Sequence, residues 1–131
     1  TAGSSKDIRL CGATGGGRDK KRRPLMGRLA AELADFVIVS NDDPYDDDPR
    51  EILEDVVRGA EKAGAKRGEK LFIIEDRRAG MAKAFSLARE GDIVLIAGKG
   101  AEQSMMMSGG REIAWDDRVV AREEIGKRAN I

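Results

Sequence analysis

The chain has 131 residues, with 24 basic side chains, 24 acidic side chains and no histidine. A formal net charge of zero argues against a general nucleic-acid or membrane-surface binder, because such proteins carry a basic excess. The lack of histidine excludes Ser-His-Asp and Cys-His catalytic arrangements and the common zinc sites. A single cysteine, Cys11, leaves no partner for an internal disulfide and favours a cytoplasmic setting.

The length predicts one domain, with a core that needs neither a metal ion nor a disulfide. Residues 1–6 are interpreted as a linker or an expression remnant, because the chain opens with TAGSS and without methionine. Residues 7–131 are assigned to the domain. No apolar run approaches 18 residues and no signal peptide is present, so membrane insertion is not expected.

Short apolar runs alternate with helical patterns along the chain. Strands are predicted at residues 7–12, 36–39, 71–74 and 92–97, and helices at 24–34, 49–64, 76–91 and 116–127. Gly109-Gly110 predicts a β-hairpin between the last strand and the last helix. This order predicts an α/β, Rossmann-like, doubly wound and mostly parallel sheet between two helix layers, with a C-terminal β-hairpin.

Apolar spacing also predicts which helix faces are buried. The inner face of the first helix is expected to contain Met26, Leu29, Ala30 and Leu33. The second helix is expected to begin after an N-cap at Asp48 and to bury Ile52, Leu53, Val56, Val57 and Ala60. The third is expected to have Asp76 as its cap and to bury Met81, Ala84, Phe85 and Ala88.

Three unusual loops follow predicted strands. The first, Gly12–Pro24, joins a glycine-rich turn to four consecutive cations, which predicts a site for a carboxylate or a phosphate. It matches neither a P-loop nor a dinucleotide fingerprint, and the alternative is a flexible turn with a solvated basic tail. The other two loops are Ser40–Asp48 and Gly98–Glu102. Ligands of such sheets bind outside the carboxyl ends of the strands, so all three loops are expected to meet.

The second loop is acidic, and Asp42 and Asp43 come directly off the strand end, where they are expected to receive an ammonium group. The alternative is a solvated turn before a helix cap. For the third loop the alternative is an ordinary turn with Lys99 and Glu102 exposed.

Four segments, in this order, resemble the C-terminal domain of the Mur ligases: GGGRDKKRRPLMG, SNDDPYDDDPREI, GDIVLIAGKGAE and WDDRVVA. The resemblance covers residues 7–126 and is nearest to the UDP-N-acetylmuramoyl-tripeptide synthetases, the MurE-like branch. It implies the lid domain of an ATP- and Mg²⁺-dependent amide ligase of peptidoglycan synthesis. Such an enzyme activates the carboxylate of a UDP-muramoyl-dipeptide as an acyl phosphate, which the amine of an amino acid then attacks.

The resemblance also implies roles for individual residues. Arg18, in a GDRD-type motif, meets the carboxylate of the incoming amino acid. Asp42, Asp43 and Tyr45 fall on a DNPR-type motif that reads its side chain. Gly98 and Glu102 fall on a GKGHE-type motif and face the same side chain. Asp19, Lys20 and Arg22 are assigned to the nucleotide or phosphate side.

Three positions depart from the family pattern: Asp43 replaces asparagine, Tyr45 replaces arginine and Ala101 replaces histidine. In diaminopimelate-adding members that arginine binds the distal carboxylate, and tyrosine does not replace it as a charge. Lysine is therefore favoured over meso-diaminopimelate as the added amino acid.

The chain lacks the segments that hold ATP, magnesium and the UDP-muramoyl-peptide in such enzymes, so alone it is expected to be inactive and to bind no cofactor. Two alternatives stay open: a detached lid domain acting as a binding or regulatory module, and a related Mur-type ligase with a different acceptor. A nucleotide-binding oxidoreductase is disfavoured, because the chain has no G-x-G-x-x-G motif. No nucleic-acid partner is expected.

Overall fold

The structure is a computed structural model that describes residues 5–16, 20–99 and 102–129. In chain order its elements are β1 (Asp7–Cys11), α1 (Arg22–Leu33), β2 (Phe36–Val39), α2 (Pro49–Lys62), β3 (Leu71–Ile73), α3 (Arg77–Leu87), β4 (Ile93–Ile96), β5 (Ser104–Met106), β6 (Glu112–Ala114) and α4 (Asp117–Ala129). None of the described helices is both long enough and apolar enough to cross a membrane.

Four parallel strands form the main sheet, in the order β3-β2-β1-β4. Strand β1 is central, so Ile8 pairs with Phe36 on one side and with Val94 on the other. Strands β5 and β6 form a separate antiparallel hairpin, joined by a short 3₁₀ turn at Ser108–Gly110. The predicted parallel sheet and C-terminal hairpin are confirmed.

Helices cover both faces of the sheet and divide the core in two. On one face α1 and α2 pack with their alanine and aliphatic side chains against Cys11, Val37, Val39 and Leu71. On the other face Met81, Ala84 and Phe85 of α3 and Val120 of α4 pack against Ile8, Leu10 and Ile38. This is the predicted doubly wound arrangement, which brings the carboxyl ends of all four main strands to one edge.

Helix α2 begins and packs as its sequence pattern predicts. The Asp48 side chain accepts a hydrogen bond from the Arg50 N–H at 3.0 Å, which satisfies one of the free donors at the helix start. Pro49 occupies the first turn, where a missing N–H costs nothing. All five predicted inner residues are buried.

The prediction for the inner face of α1 is wrong at three positions. Met26, Leu29 and Leu33 are exposed, and the helix instead buries Arg23, Gly27, Ala30 and Ala31. The cause is the very close approach of α2. A Cβ atom on Gly27 would lie 1.8 Å from the carbonyl oxygen of Val56, and one on Gly59 would lie 1.7 Å from that of Pro24. Only small side chains fit this contact.

Two further boundaries differ from the sequence prediction. Helix α3 ends at Leu87 rather than near residue 91, and Asp76 precedes it without making a side-chain capping bond. Strand β4, an apolar run, is the edge of the main sheet. Ile93 is 63% exposed and Leu95 is 45% exposed, because α1 and α2 lie over the other three strands.

Candidate functional site

The loops that follow β1, β2 and β4 meet at the carboxyl edge of the sheet, as predicted. The N–H of Gly15, in the glycine loop, donates to the carbonyl oxygen of Asp43 at 2.8 Å. The ammonium of Lys99, in the loop after β4, donates to the Asp43 carboxylate at 2.7 Å. Asp43 therefore joins the other two loops through its backbone and its side chain.

A cavity of about 210 Å³ opens between the glycine loop and the start of α1. Its lining includes two arginine side chains, one carboxylate and the small residues of the glycine loop. The lining residues are Gly12, Ala13, Thr14, Arg22, Arg23, Met26 and Asp42. Gly12, Ala13 and Thr14 come from the glycine loop, and Asp42 comes from the loop after β2. Such a combination suits a small zwitterion, which needs partners for both charges.

Arg23 is a buried cation on the wall of this cavity, with only 2% of its surface exposed. Its Nη1 donates to Asp55 at 2.9 Å and its Nη2 donates to Asp47 at 3.2 Å. Its Nε is buried without a hydrogen-bond partner in the described part of the chain. Arg23 thus ties the start of α1 to α2 and to the acidic loop.

Asp42 is buried beneath the loop after β4. One of its carboxylate oxygens, Oδ1, accepts the N–H of Asp43 at 2.9 Å. Its other oxygen, Oδ2, lies 2.5 Å from the place where a Cβ atom would stand on Gly98. Burial raises the pKa of Asp42 above its usual value, as does the neighbouring Asp43, while Arg77 and Lys99 lower it. Gly98, which has φ of +113°, therefore makes room for this carboxylate.

The structure overturns the alternative in which Lys99 is exposed, since only 2% of its surface is accessible. Its Nζ lies 2.7 Å from Asp43, 3.9 Å from Asp42 and 3.8 Å from Glu102. The Asp43 carboxylate is thus already paired inside the protein. Glu102 has a side chain that is 59% exposed, which leaves it accessible from solvent.

Tyr45 has a left-handed backbone conformation, with φ of +53°, which is uncommon for a non-glycine residue. Its ring packs on the glycine loop, because ring atoms Cγ and Cδ2 lie 2.9 Å from the place of a Cβ atom on Gly16. Its N–H donates to the carbonyl oxygen of Met106 in β5 at 3.2 Å. The residue is held between the glycine loop and the hairpin.

The hairpin is fastened to the acidic loop by side chains as well. The Met106 N–H donates to Oδ1 of Asp43 at 2.9 Å, and the Gly109 N–H donates to Oδ1 of Asp46 at 2.6 Å. Together with the bond from Tyr45, these contacts place β5 and its turn directly on residues 43–46. The hairpin therefore forms one wall of the region where the loops meet.

The remaining predicted residues divide into two groups. Lys20 lies on the surface with its Nζ 4.0 Å from Glu51, and Arg22 lines the cavity. Arg18, Asp19 and Ala101 lie outside the described residues. Within 5–16, 20–99 and 102–129 no group of three or more His, Cys, Asp or Glu side chains is arranged to hold a metal ion.

Sequence reasoning did not identify the buried cations that organise this site. Arg77 is 1% exposed and pairs with Asp117, and Lys99 pairs with Asp43. Each partner is distant in sequence, so no local spacing indicates the pair. The position of Lys99 between two glycines at the end of an apolar strand is the only local signal.

The sequence is similar to those of known ligases and synthetases that act on UDP-N-acetylmuramoyl compounds. The chain is 39% identical over 122 residues to a UDP-N-acetylmuramoyl-L-alanyl-D-glutamate--2,6-diaminopimelate ligase of Halalkalibacterium halodurans, covering 93% of this chain and 24% of that protein. It is 45% identical over 118 residues to a UDP-N-acetylmuramyl-tripeptide synthetase of Treponema denticola, covering 90% of this chain and 21% of that protein.

A solved structure agrees with the fold. The structure of a UDP-N-acetylmuramoyl-L-alanyl-D-glutamate--2,6-diaminopimelate ligase superposes with a TM-score of 0.82 at 34% identity. The match covers 96% of this chain and 25% of that one, so the chain spans about a quarter of the length of its relatives. A family model described as "Mur ligase, glutamate ligase domain" matches residues 2–100. The family model, the similar sequences and the shared fold together show that the chain belongs to the Mur ligase family, in which it corresponds to the glutamate ligase domain.

Proposed function

We propose that this chain is the part of an ATP-dependent, cytoplasmic peptidoglycan ligase that holds the incoming amino acid. In this proposal it presents the amine to the acyl phosphate of a UDP-muramoyl-dipeptide and helps to exclude water. Its contribution to rate is positioning, which turns a bimolecular encounter into a reaction between aligned groups. The observation that carries the proposal is the meeting of three strand-end loops, two of which line a cavity that has both cationic and anionic side chains.

Charge around the acidic loop supports an amine-bearing side chain as the ligand. Asp42, Asp43 and Glu102 contribute three carboxylates, and Lys99 contributes one ammonium between them. Because Asp43 is already paired at 2.7 Å, we assign the substrate ammonium to Asp42 and Glu102. The excess of negative charge in this cluster favours a cation and disfavours a second carboxylate.

Lysine is accordingly our proposed substrate in preference to meso-diaminopimelate. The names of many relatives specify 2,6-diaminopimelate, so the distinction has to come from a residue of this chain. Tyr45 is that residue, since the family pattern has arginine there. Its ring lies against Gly16 and offers no positive charge to a distal carboxylate.

The carboxylate of the amino acid is assigned to Arg18. Asp19, Lys20 and Arg22 are assigned to the nucleotide side of the site, where the two cations, Lys20 and Arg22, balance phosphate charge. ATP supplies the phosphoryl group that activates the acceptor when it is bound in the complete ligase. The described residues offer no cluster of metal ligands, so we place magnesium on other parts of such an enzyme.

The proposal is tested with the complete ligase, by measuring ATP-dependent addition of lysine, ornithine and meso-diaminopimelate to UDP-muramoyl-dipeptide. We expect lysine to have the highest kcat/KM. The Tyr45→Arg variant should lower the KM for diaminopimelate by about 10-fold to 100-fold, because a charged hydrogen-bonding pair is worth roughly 1.5–3 kcal/mol. The matched Tyr45→Phe variant keeps the ring without a charge and should retain the preference for lysine.

Arg18→Ala should raise the KM for the amino acid while leaving the folded state intact. A wild-type preference for diaminopimelate would refute the argument from Tyr45 but leave the amino-acid site in place. Failure of the complete protein to use any amino acid would instead favour a detached binding or regulatory module, or a ligase with a different acceptor.

A further inference from the structure

A buried arginine lies directly below the loops of the candidate site. Arg77 is the first residue of α3, and only 1% of its surface is exposed. Its Nε and Nη2 donate to the two carboxylate oxygens of Asp117, at 2.9 and 2.7 Å. This is a two-pronged pair, the geometry in which guanidinium and carboxylate groups bind most strongly and with a fixed orientation.

The rest of the guanidinium holds the backbone of two site loops. Nη1 donates to the carbonyl oxygen of Asn41 at 3.1 Å, and Nη2 donates to that of Ala97 at 3.0 Å. Asn41 immediately precedes Asp42, and Ala97 immediately precedes Gly98. One side chain therefore fixes the backbone immediately before Asp42 and immediately before Gly98, in the two loops proposed to read the substrate side chain.

The space between these loops is tightly defined. A Cβ atom on Gly98 would lie 2.5 Å from Oδ2 of Asp42 and 4.0 Å from Nη2 of Arg77. The Gly98 backbone thus lies close to both the Asp42 carboxylate and the Arg77 guanidinium. A shift of either loop would change the separation between the carboxylate of Asp42 and the loop that carries Glu102.

We infer that Arg77 is a positioning residue for substrate recognition, which sets the distance between the Asp42 loop and the Gly98 loop while Asp117 fixes its guanidinium. The inference rests on the proposed function, because it concerns the loops assigned to the amino acid. Arg77 is buried, so its effect on the substrate passes through Asp42 and Gly98. Lysine at this position keeps the charge but lacks the planar fork of donors needed for all these bonds.

The structure supplies a built-in probe of this arrangement. Trp115 is the only tryptophan of the chain, and its Nε1–H donates to Oδ1 of Asp117 at 2.7 Å. The indole therefore shares the carboxylate that holds Arg77. Its fluorescence should respond to changes at Arg77, even in the isolated 131-residue chain.

The first test compares Arg77→Lys and Arg77→Met with Arg78→Met in the isolated chain. Arg78 is a matched control, because it is the next residue of α3 and pairs with Glu123 and Glu124. We expect both Arg77 variants to shift the Trp115 emission and the backbone amide NMR signals of residues 41–43, 45 and 97–99. Arg78→Met should leave both loops unchanged. If Arg77→Lys is folded and neither loop moves, the inference is wrong.

The second test uses the complete ligase and separates positioning from general stability. Arg77→Lys should raise the KM for the amino acid by about 10-fold to 100-fold, since displacement of a binding group by about 1 Å can have effects of that order. The KM of Arg77→Lys for ATP should match that of the wild type. In Arg78→Met both the KM for the amino acid and the KM for ATP should match the wild type. An unchanged amino-acid KM in folded Arg77→Lys would overturn the inference. A wild-type ligase without amino-acid specificity would overturn the proposed function instead, and the loop signals of the first test would still decide whether Arg77 sets the loop spacing.

Discussion

The ammonium of Lys99 lies 2.7 Å from Oδ1 of Asp43, although 56 residues separate the two in the chain. The same oxygen accepts the N–H of Met106 at 2.9 Å. This pair connects the loop after β4, the loop after β2 and the hairpin at a single atom. It also explains how an aspartate is accommodated where the family pattern has asparagine.

Lys99→Met should destabilise the fold by about 3–5 kcal/mol, because it leaves the buried Asp43 carboxylate without its cation. Adding Asp43→Asn should recover more than half of the loss, since the amide oxygen still accepts the Met106 N–H. The free energy of unfolding in urea measures both effects. Lys127→Met is the matched control. Lys127 also pairs with a carboxylate, that of Glu124, but its side chain is 67% exposed, so its loss should cost less than about 1 kcal/mol. Equal losses at both lysines would contradict the assigned role of Lys99.

Gly59→Ala should destabilise the protein by about 1–3 kcal/mol, because its Cβ atom would meet the Pro24 carbonyl oxygen of α1 at 1.7 Å. Gly126 offers the matched substitution, since it also lies in a helix, but a Cβ atom there would meet no other part of the described chain within 4 Å. Gly126→Ala should stabilise by about 0.5–1 kcal/mol through helix propensity. Thermal denaturation of the two variants should therefore move the Tm in opposite directions.

The stability of the fold should carry a pH signature of Asp42. Burial raises its pKa in the folded state, so between the unfolded and folded pKa values the native chain binds more protons. The contribution of this group to the free energy of unfolding therefore falls as pH rises through that window. Asp42→Asn removes the effect, so the difference in unfolding free energy, variant minus wild type, should become more positive as pH rises above about 4, the ordinary pKa of an aspartate. A constant difference across this range would show that the carboxyl titrates normally.

Cys11 should be nearly inert in the folded protein. Burial raises the pKa of its thiol to about 11, although the charges of Arg77 and Arg9 oppose that shift. Because the thiolate is the reactive form, alkylation by iodoacetamide near neutral pH should be slow until denaturant is added. Ser86→Cys adds an exposed thiol on α3 as an internal comparison. Native Cys11 reacting as fast as that thiol would contradict its burial.

The sequence pattern was sufficient to predict those features that depend on residues close to one another in the chain. The continuous apolar run of β2 and the Asp48 cap with the inner face of α2 were both predicted, because they depend on neighbours within a few residues. The inner face of α1 was not, because it is decided by Gly27 meeting the backbone of a different helix. Arg77 and Lys99 were missed for the same reason, since their partners lie 40 and 56 residues away.

For the candidate site, the predicted topology indicated that the three loops meet. It did not indicate which of their charged side chains pair inside the protein and which line the cavity. Asp42 and Asp43 look equivalent in sequence. In the structure Asp43 is paired internally with Lys99, while Asp42 lines the cavity. The roles of Arg18 and Asp19 stay predictions.

The glycine contact between α1 and α2 has a consequence for protein engineering. The glycine loop precedes α1 and the acidic loop precedes α2. Because the glycine contact fixes the separation of the two helices, it also fixes the separation of the two loops. A graft that transfers one loop into another ligase would leave it on a foreign helix pair with a different separation. The continuous segment from residue 12 to residue 63 keeps both loops and the contact that sets their spacing. A graft of this segment also needs Lys99 in the recipient, because Lys99 pairs with Asp43.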